Sequence, residues 1–300
     1  MDKLDERQEG PRKPLAAAPA LAIQFFLIPL AVVAVTGGIY VGFRALLADT
    51  RSAQDYLIEI RTGGENRRWP AAYELSRLMA DPAERAGDPT LVPGLVQAFE
   101  ASKGEDPLVR RYLALALGRL DTPVDSSVVD ALLAAFDDDD GETRINAIWA
   151  LGSLREASAV SKLESLYESP DSGVRKMVVY ALGAIPAAST SRALDAALSD
   201  AVADVQWNAA VALARHGRSE GVPVILRMLD RAYLAASLDS ETPVASQDED
   251  PAGDVMITGL QAAASLREPS LRMVVKQISQ ADRNLRVRQA ALDALKAFGA

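Results

Sequence analysis

Val174-Arg175-Lys176-Met177-Val178-Val179-Tyr180-Ala181-Leu182-Gly183 is the stretch that decides the fold. Its apolar residues recur at three- and four-residue intervals, the period of one face of a helix. The same register returns at Val109-Arg110 to Leu117-Gly118, at Thr143-Arg144 to Leu151-Gly152 and at Val205-Gln206 to Leu213-Ala214, a spacing of 31 to 34 residues. Weaker copies start at Arg68, Met256 and Arg288, and each keeps an apolar residue ten positions on (Leu78, Leu266 and Phe298). A second amphipathic segment precedes each copy from Val109 onward, and turn-and-cap sequences such as Asp106-Pro107, Asp140-Gly141 and Asp171-Ser172-Gly173 separate the two. Repetition at this period marks a solenoid, in which each unit buries its apolar face against its neighbours. The sequence therefore predicts an all-α, right-handed α-α superhelix of about seven helical hairpins over residues 67–300.

Upstream of the repeats, residues 1–20 read as a polar tail. Leu21 to Phe43 carries no charge. As a helix of about 23 residues at 1.5 Å each, it predicts a transmembrane span, and it is longer than the apolar core of a cleaved signal peptide. Ala34, Gly38 and Gly42 recur every four residues and predict a smooth face for helix–helix contact in the bilayer. Lys3, Arg7, Arg12 and Lys13 before the span, against Arg44, Arg51 and Arg61 after it, predict a cytoplasmic N-terminus with the solenoid outside a bacterial inner membrane. Residues 44–66 read as a juxtamembrane helix, Ser52 to Arg61, and a linker broken at Gly63-Gly64. Between Gln206 and Met256 the spacing widens by about 19 residues, and residues 231–252 predict an acidic loop insertion.

Three elements carry a resemblance to a known family: an Asp four residues before the Arg (Asp106, Asp140, Asp171), the Val-Arg pair, and the Ala-Leu-Gly run. From about Arg67 onward the chain resembles HEAT repeats of the short bacterial type related to the phycobilisome-lyase repeat family. The resemblance implies a structural ladder between neighbouring repeats, built from Asp106, Asp140 and Asp171 with Arg110, Arg144 and Arg175. It weakens at Gln206 and Met256, which bracket the insertion. It also implies that the second helix of each hairpin lines a concave wall.

Rotating each second helix by 100° per residue places its Ala, Leu, Val and Ile residues on one side. The opposite band holds Trp69, Tyr73, Arg111, Tyr112, Asn146, Trp149, Lys176, Tyr180, Trp207 and Asn208, which include all three tryptophans. Aromatic residues bury large areas at little entropic cost, so this band predicts a partner-binding surface for a helix or an extended peptide. The competing expectation is a tightly curved stack that closes over its own inner wall.

The formal net charge of −9 argues against nucleic acid, which calls for a concentrated basic stripe. The absence of cysteine excludes disulfides and thiolate chemistry, and His216, the only histidine, makes a poor metal site. Asp137 to Asp140 fails the calcium-loop template, because Phe136 and Ala147 would fall at its first and last ligand positions. Gly217-Arg218-Ser219-Glu220-Gly221 matches a serine-hydrolase elbow as a string, but it lies between helices and lacks the strand that an elbow needs. The prediction is a non-catalytic, cofactor-free scaffold or accessory subunit of a membrane complex. The family resemblance implies one alternative, a tetrapyrrole-binding or bilin lyase-like protein.

Overall fold

The computed structural model describes residues 28–47, 51–85, 90–189, 191–238 and 250–299. The chain divides into two units, residues 1–51 and 52–300.

The first unit contributes one described helix, α1 (Ile28–Leu47); residues 21–27 of the expected span lie outside the described residues. The uncharged part of α1, Ile28 to Phe43, reaches only about 24 Å before Arg44, against the ~30 Å of a hydrocarbon layer. Among the described residues no helix is long and apolar enough to cross a membrane. This corrects the expected span, and with it the single-pass localisation and the orientation derived from flanking charges. Ala34, Gly38 and Gly42 lie on α1, where a Cβ on either glycine would meet nothing within 4 Å.

The described part of the second unit is built of helices and turns. Seven hairpins follow one another: α2 (Ala53–Thr62) with α3 (Glu65–Leu78), α4 (Leu91–Ala101) with α5 (Pro107–Leu117), α6 (Ser126–Ala134) with α7 (Gly141–Ser153), and α8 (Val160–Leu166) with α9 (Ser172–Ala184). Then come α10 (Arg192–Ala197) with α11 (Ala203–Arg215), α12 (Val222–Met228) and α13 (Arg231–Leu238) with α14 (Pro251–Leu266), and α15 (Pro269–Ala281) with α16 (Leu285–Ala297). The array starts earlier than the expected boundary at residue 67, because α2 is the first helix of the first hairpin. Its Tyr56, Leu57 and Ile60 are buried, and a capping box between Ser52 and Asp55 fixes its start.

The second helices α3, α5, α7, α9, α11, α14 and α16 touch in an unbroken series. The reason is local to the Ala-Leu-Gly run. A Cβ on Gly118 would stand 2.6 Å from Ala150 Cα, one on Gly152 2.7 Å from Ala181 Cα, and one on Gly183 2.9 Å from Ala212 Cα. Each glycine therefore lets its backbone approach an alanine of the next repeat more closely than any side chain would allow. This seam holds successive second helices closer together than successive first helices, which makes theirs the inner side of the array.

At α11 the seam changes: Ala214 occupies the glycine position, and the buried residues divide into two clusters. Val205, Ala209, Ala212 and Leu213 belong to the N-terminal core, whereas Trp207, Ala210 and Ala214 belong to the core shared with α12 to α16.

The expected ladder exists in a different pairing. Asp106, Asp140 and Asp171 cap α5, α7 and α9 by accepting backbone N–H bonds from Leu108, Thr143 and Gly173. The carboxylates that the register arginines Arg110 and Arg175 meet across repeats stand six residues before the next register position, and Asp140 bridges repeats as well, but to Arg111. Arg110 bonds Asp138 at 2.5 Å, with both side chains buried and the guanidinium 4.1 Å from the centre of the Phe99 ring. Arg175 makes a two-pronged pair with Asp200 at 2.8 and 2.9 Å. Arg144 finds Ser169 at the corresponding place, and its described bonds go to the carbonyls of Asp138 and Asp139.

Nor does the ladder weaken at the insertion. Gln206 and Met256 supply no guanidinium for Asp250 and Asp282, which stand at the same register position; Arg231, at the start of the inserted helix α13, serves both. It reaches Asp250 at 2.9 and 3.0 Å and Asp282 at 2.7 and 2.8 Å. Part of the expected loop is thus helix, anchored by the fully buried Leu234, and Asp250 also caps α14. Residues 239–249 lie outside the described residues.

Candidate functional site on the inner wall

The side chains facing away from the seam on the second helices form the inner wall. At its N-terminal end Trp69 and Tyr73 on α3 are each 39% exposed. The Tyr73 ring meets Tyr112 of α5 edge-on, with centroids 5.2 Å apart and planes at 73°, and the Arg77 guanidinium lies 5.9 Å from the Tyr73 centroid. Tyr112 and Trp149 are half-buried against the core, and Trp149 lies over Gly118.

The wall's cations are largely committed to carboxylates of the next repeat. Arg111 grips Asp140 at 2.8 and 2.6 Å, and Lys176 reaches Asp204 at 3.1 Å. The Arg111 guanidinium holds the Asp140 carboxyl well below the usual carboxylate range. Asn146 and Asn208 donate to the backbone carbonyls of Arg111 and Asp204. Between the helices Arg175 lowers the Asp200 carboxyl to about 2. The Tyr167 hydroxyl that donates to Asp200 is pushed up to about 12, first by burial and then by that bond.

Trp207 departs from the expected band. It shares a helical position with Trp69, Arg111 and Lys176, yet it is only 6% exposed and packs in the C-terminal core. The cause is the junction of the two cores, where Met228 of α12 and Val255 of α14 close in beside α11. Together with Tyr180 and Asn208 these residues surround a cavity of about 310 Å³. Sequence reasoning missed Asp204 and Arg215, at the two ends of α11, and Met228 and Val255, which α12 and α14 bring beside it only through tertiary packing, α14 from beyond the insertion.

The chemistry set aside at the sequence level has structural explanations. Asp138 and Asp140 of the aspartate run are engaged by Arg110 and Arg111. His216 follows α11, with its Nε2 3.0 Å from the Leu182 carbonyl oxygen of the preceding repeat. Ser219 opens a short 3-10 turn between α11 and α12. Among the described residues no group of three or more acidic or histidine side chains could hold a metal ion.

Comparison with known proteins agrees with this architecture. A family model described as HEAT repeats matches residues 129–214. No match is found among curated proteins. The chain is similar to the complex of CpcE and CpcF of phycocyanin lyase from Nostoc sp. PCC7120, at 18% identity and a TM-score of 0.56, over 85% of this chain and 90% of that one. It is also similar to a designed armadillo repeat protein in complex with the peptide (KR)4, at 16% identity and a TM-score of 0.42, over 83% of this chain and 100% of that one. The family match and the first likeness give the fold, an all-helical repeat solenoid of the HEAT kind.

Proposed function

We propose that this chain is a non-catalytic, protein-binding scaffold or accessory subunit whose inner wall grips a helix or an extended peptide of its partner. The observation that carries the proposal is the exposure of Trp69 and Tyr73 on a wall where Arg111 and Lys176 are already paired. Aromatic surface of this sort, held by rigid helices and flanked by neutralised ion pairs, offers contact area without the cost of stripping water from free charges. At 18% identity the likeness to the phycocyanin lyase subunits carries the fold and not the activity, which resides in sites rather than scaffolds.

Trp69→Ala combined with Tyr73→Ala tests the proposal. Both rings lie outside the buried core, so helicity and melting temperature should stay close to those of the parent protein. Partner recovered by affinity purification should fall by about tenfold, the loss of one hot-spot contact. Undiminished recovery would refute the assignment of the wall.

A further inference from the structure

We infer that the cavity between α9, α11 and α14 is a recognition pocket for an apolar peptide side chain flanked by carboxylates. The assignment rests on the inner wall being a protein-binding surface, and it specifies what that surface selects. The pocket lies where the two hydrophobic cores meet, with Ala212 from one and Trp207 and Met228 from the other in its walls. Junctions of this kind are favoured places for ligand sites, and about 310 Å³ is at the small end of their range.

Three features set the chemistry. The Tyr180 ring, Val211, Met228 and Val255 provide an apolar lining. Asp204 is neutralised by Lys176 at 3.1 Å, whereas Arg215, 5.7 Å from the centre of the Tyr180 ring, has no carboxylate partner among the described residues. That contrasts with Arg111, Arg175, Arg218 and Arg231, all of which are paired. The pocket therefore presents one unspent positive charge at an aromatic rim. The third feature is the Trp207 ring, which lines the pocket while its indole nitrogen is buried, with no acceptor among the described residues. A peptide with a phenylalanine between two glutamates supplies a ring for the lining and carboxylates for Arg215. A lysine-flanked segment would instead set like charges against Arg215.

The test uses the full chain and three fluorescein-labelled heptapeptides, read by fluorescence anisotropy: Gly-Ser-Glu-Phe-Glu-Ser-Gly, its Lys-Phe-Lys counterpart and its Glu-Ala-Glu counterpart. The first should bind saturably, and the other two at least about tenfold more weakly. Val255→Trp, which fills the cavity, should weaken the first peptide by a similar factor. Arg215→Glu, an exposed change that leaves the cores intact, should transfer the preference to the Lys-Phe-Lys peptide. No saturable binding by any of the three, or affinities unmoved by Arg215→Glu, would overturn the assignment. If the peptides fail while Trp69 and Tyr73 still govern partner recovery, the pocket alone is lost and the wall stands.

Discussion

Gly152 is the residue on which the close packing of neighbouring repeats turns most visibly. A methyl group there would stand 2.7 Å from Ala181 Cα and 2.8 Å from Ala181 Cβ, so α7 and α9 would have to separate. Overpacking of this kind costs about 1–3 kcal/mol, more than the ~1 kcal/mol that alanine gains over glycine in a helix. Gly152→Ala should therefore lower the melting temperature by several degrees despite its better helix propensity, and an unchanged or raised value would contradict the seam. At this scale much was legible in the sequence. The caps Asp106, Asp140 and Asp171 and the apolar faces follow from local spacing, which the helix period dictates. The partners of Arg110 and Arg175 were not legible, because Asp138 and Asp200 lie 28 and 25 residues away and are brought in only when repeats stack. The family resemblance pointed instead to Asp106, Asp140 and Asp171, whose carboxylates cap helices, Asp140 meeting Arg111 across repeats as well.

Among the elements, α13 best shows what periodicity cannot convey. Residues 231–238 break the repeat and sit beside an acidic stretch, so composition suggested a loop. Yet Arg231 holds Asp250 and Asp282 together, keeping both carboxyls below the usual carboxylate range. Removing this guanidinium leaves two partly buried carboxylates uncompensated, and Arg231→Met should destabilise the protein at neutral pH by roughly 3 kcal/mol. Because the folded-state pKa values of both aspartates are depressed, the stabilisation is present in full above the ordinary carboxylate pKa of about 4 and is lost as pH falls below it. Parent and variant should thus differ most near pH 7 and converge under acid, as read by denaturant unfolding across that range. A difference independent of pH would mean that Arg231 acts through packing instead.

For the molecule as a whole, one chain of second helices carries two cores that meet at α11. That junction explains why the expected aromatic band is uneven. Helical rotation placed Trp69, Tyr73 and Trp207 on one face, and the exposure of the first two follows from it. Trp207 is buried because α12 and α14 come in beside it, a consequence of tertiary stacking across the insertion. The apolar stretch before the array shows the limit of length arguments, since the part described as helix stops short of a bilayer's thickness. The central claim is that the surface made by the second helices meets another protein. The most direct measurement is photo-crosslinking in the producing cell, with benzophenone side chains placed singly at Tyr73, Asn146 and Lys176 on the inner wall and at Gln97, Asp130 and Lys162 on the first helices. The account predicts crosslinks to a second polypeptide from the inner set alone; crosslinks confined to the first helices, or spread evenly over both sets, would contradict it.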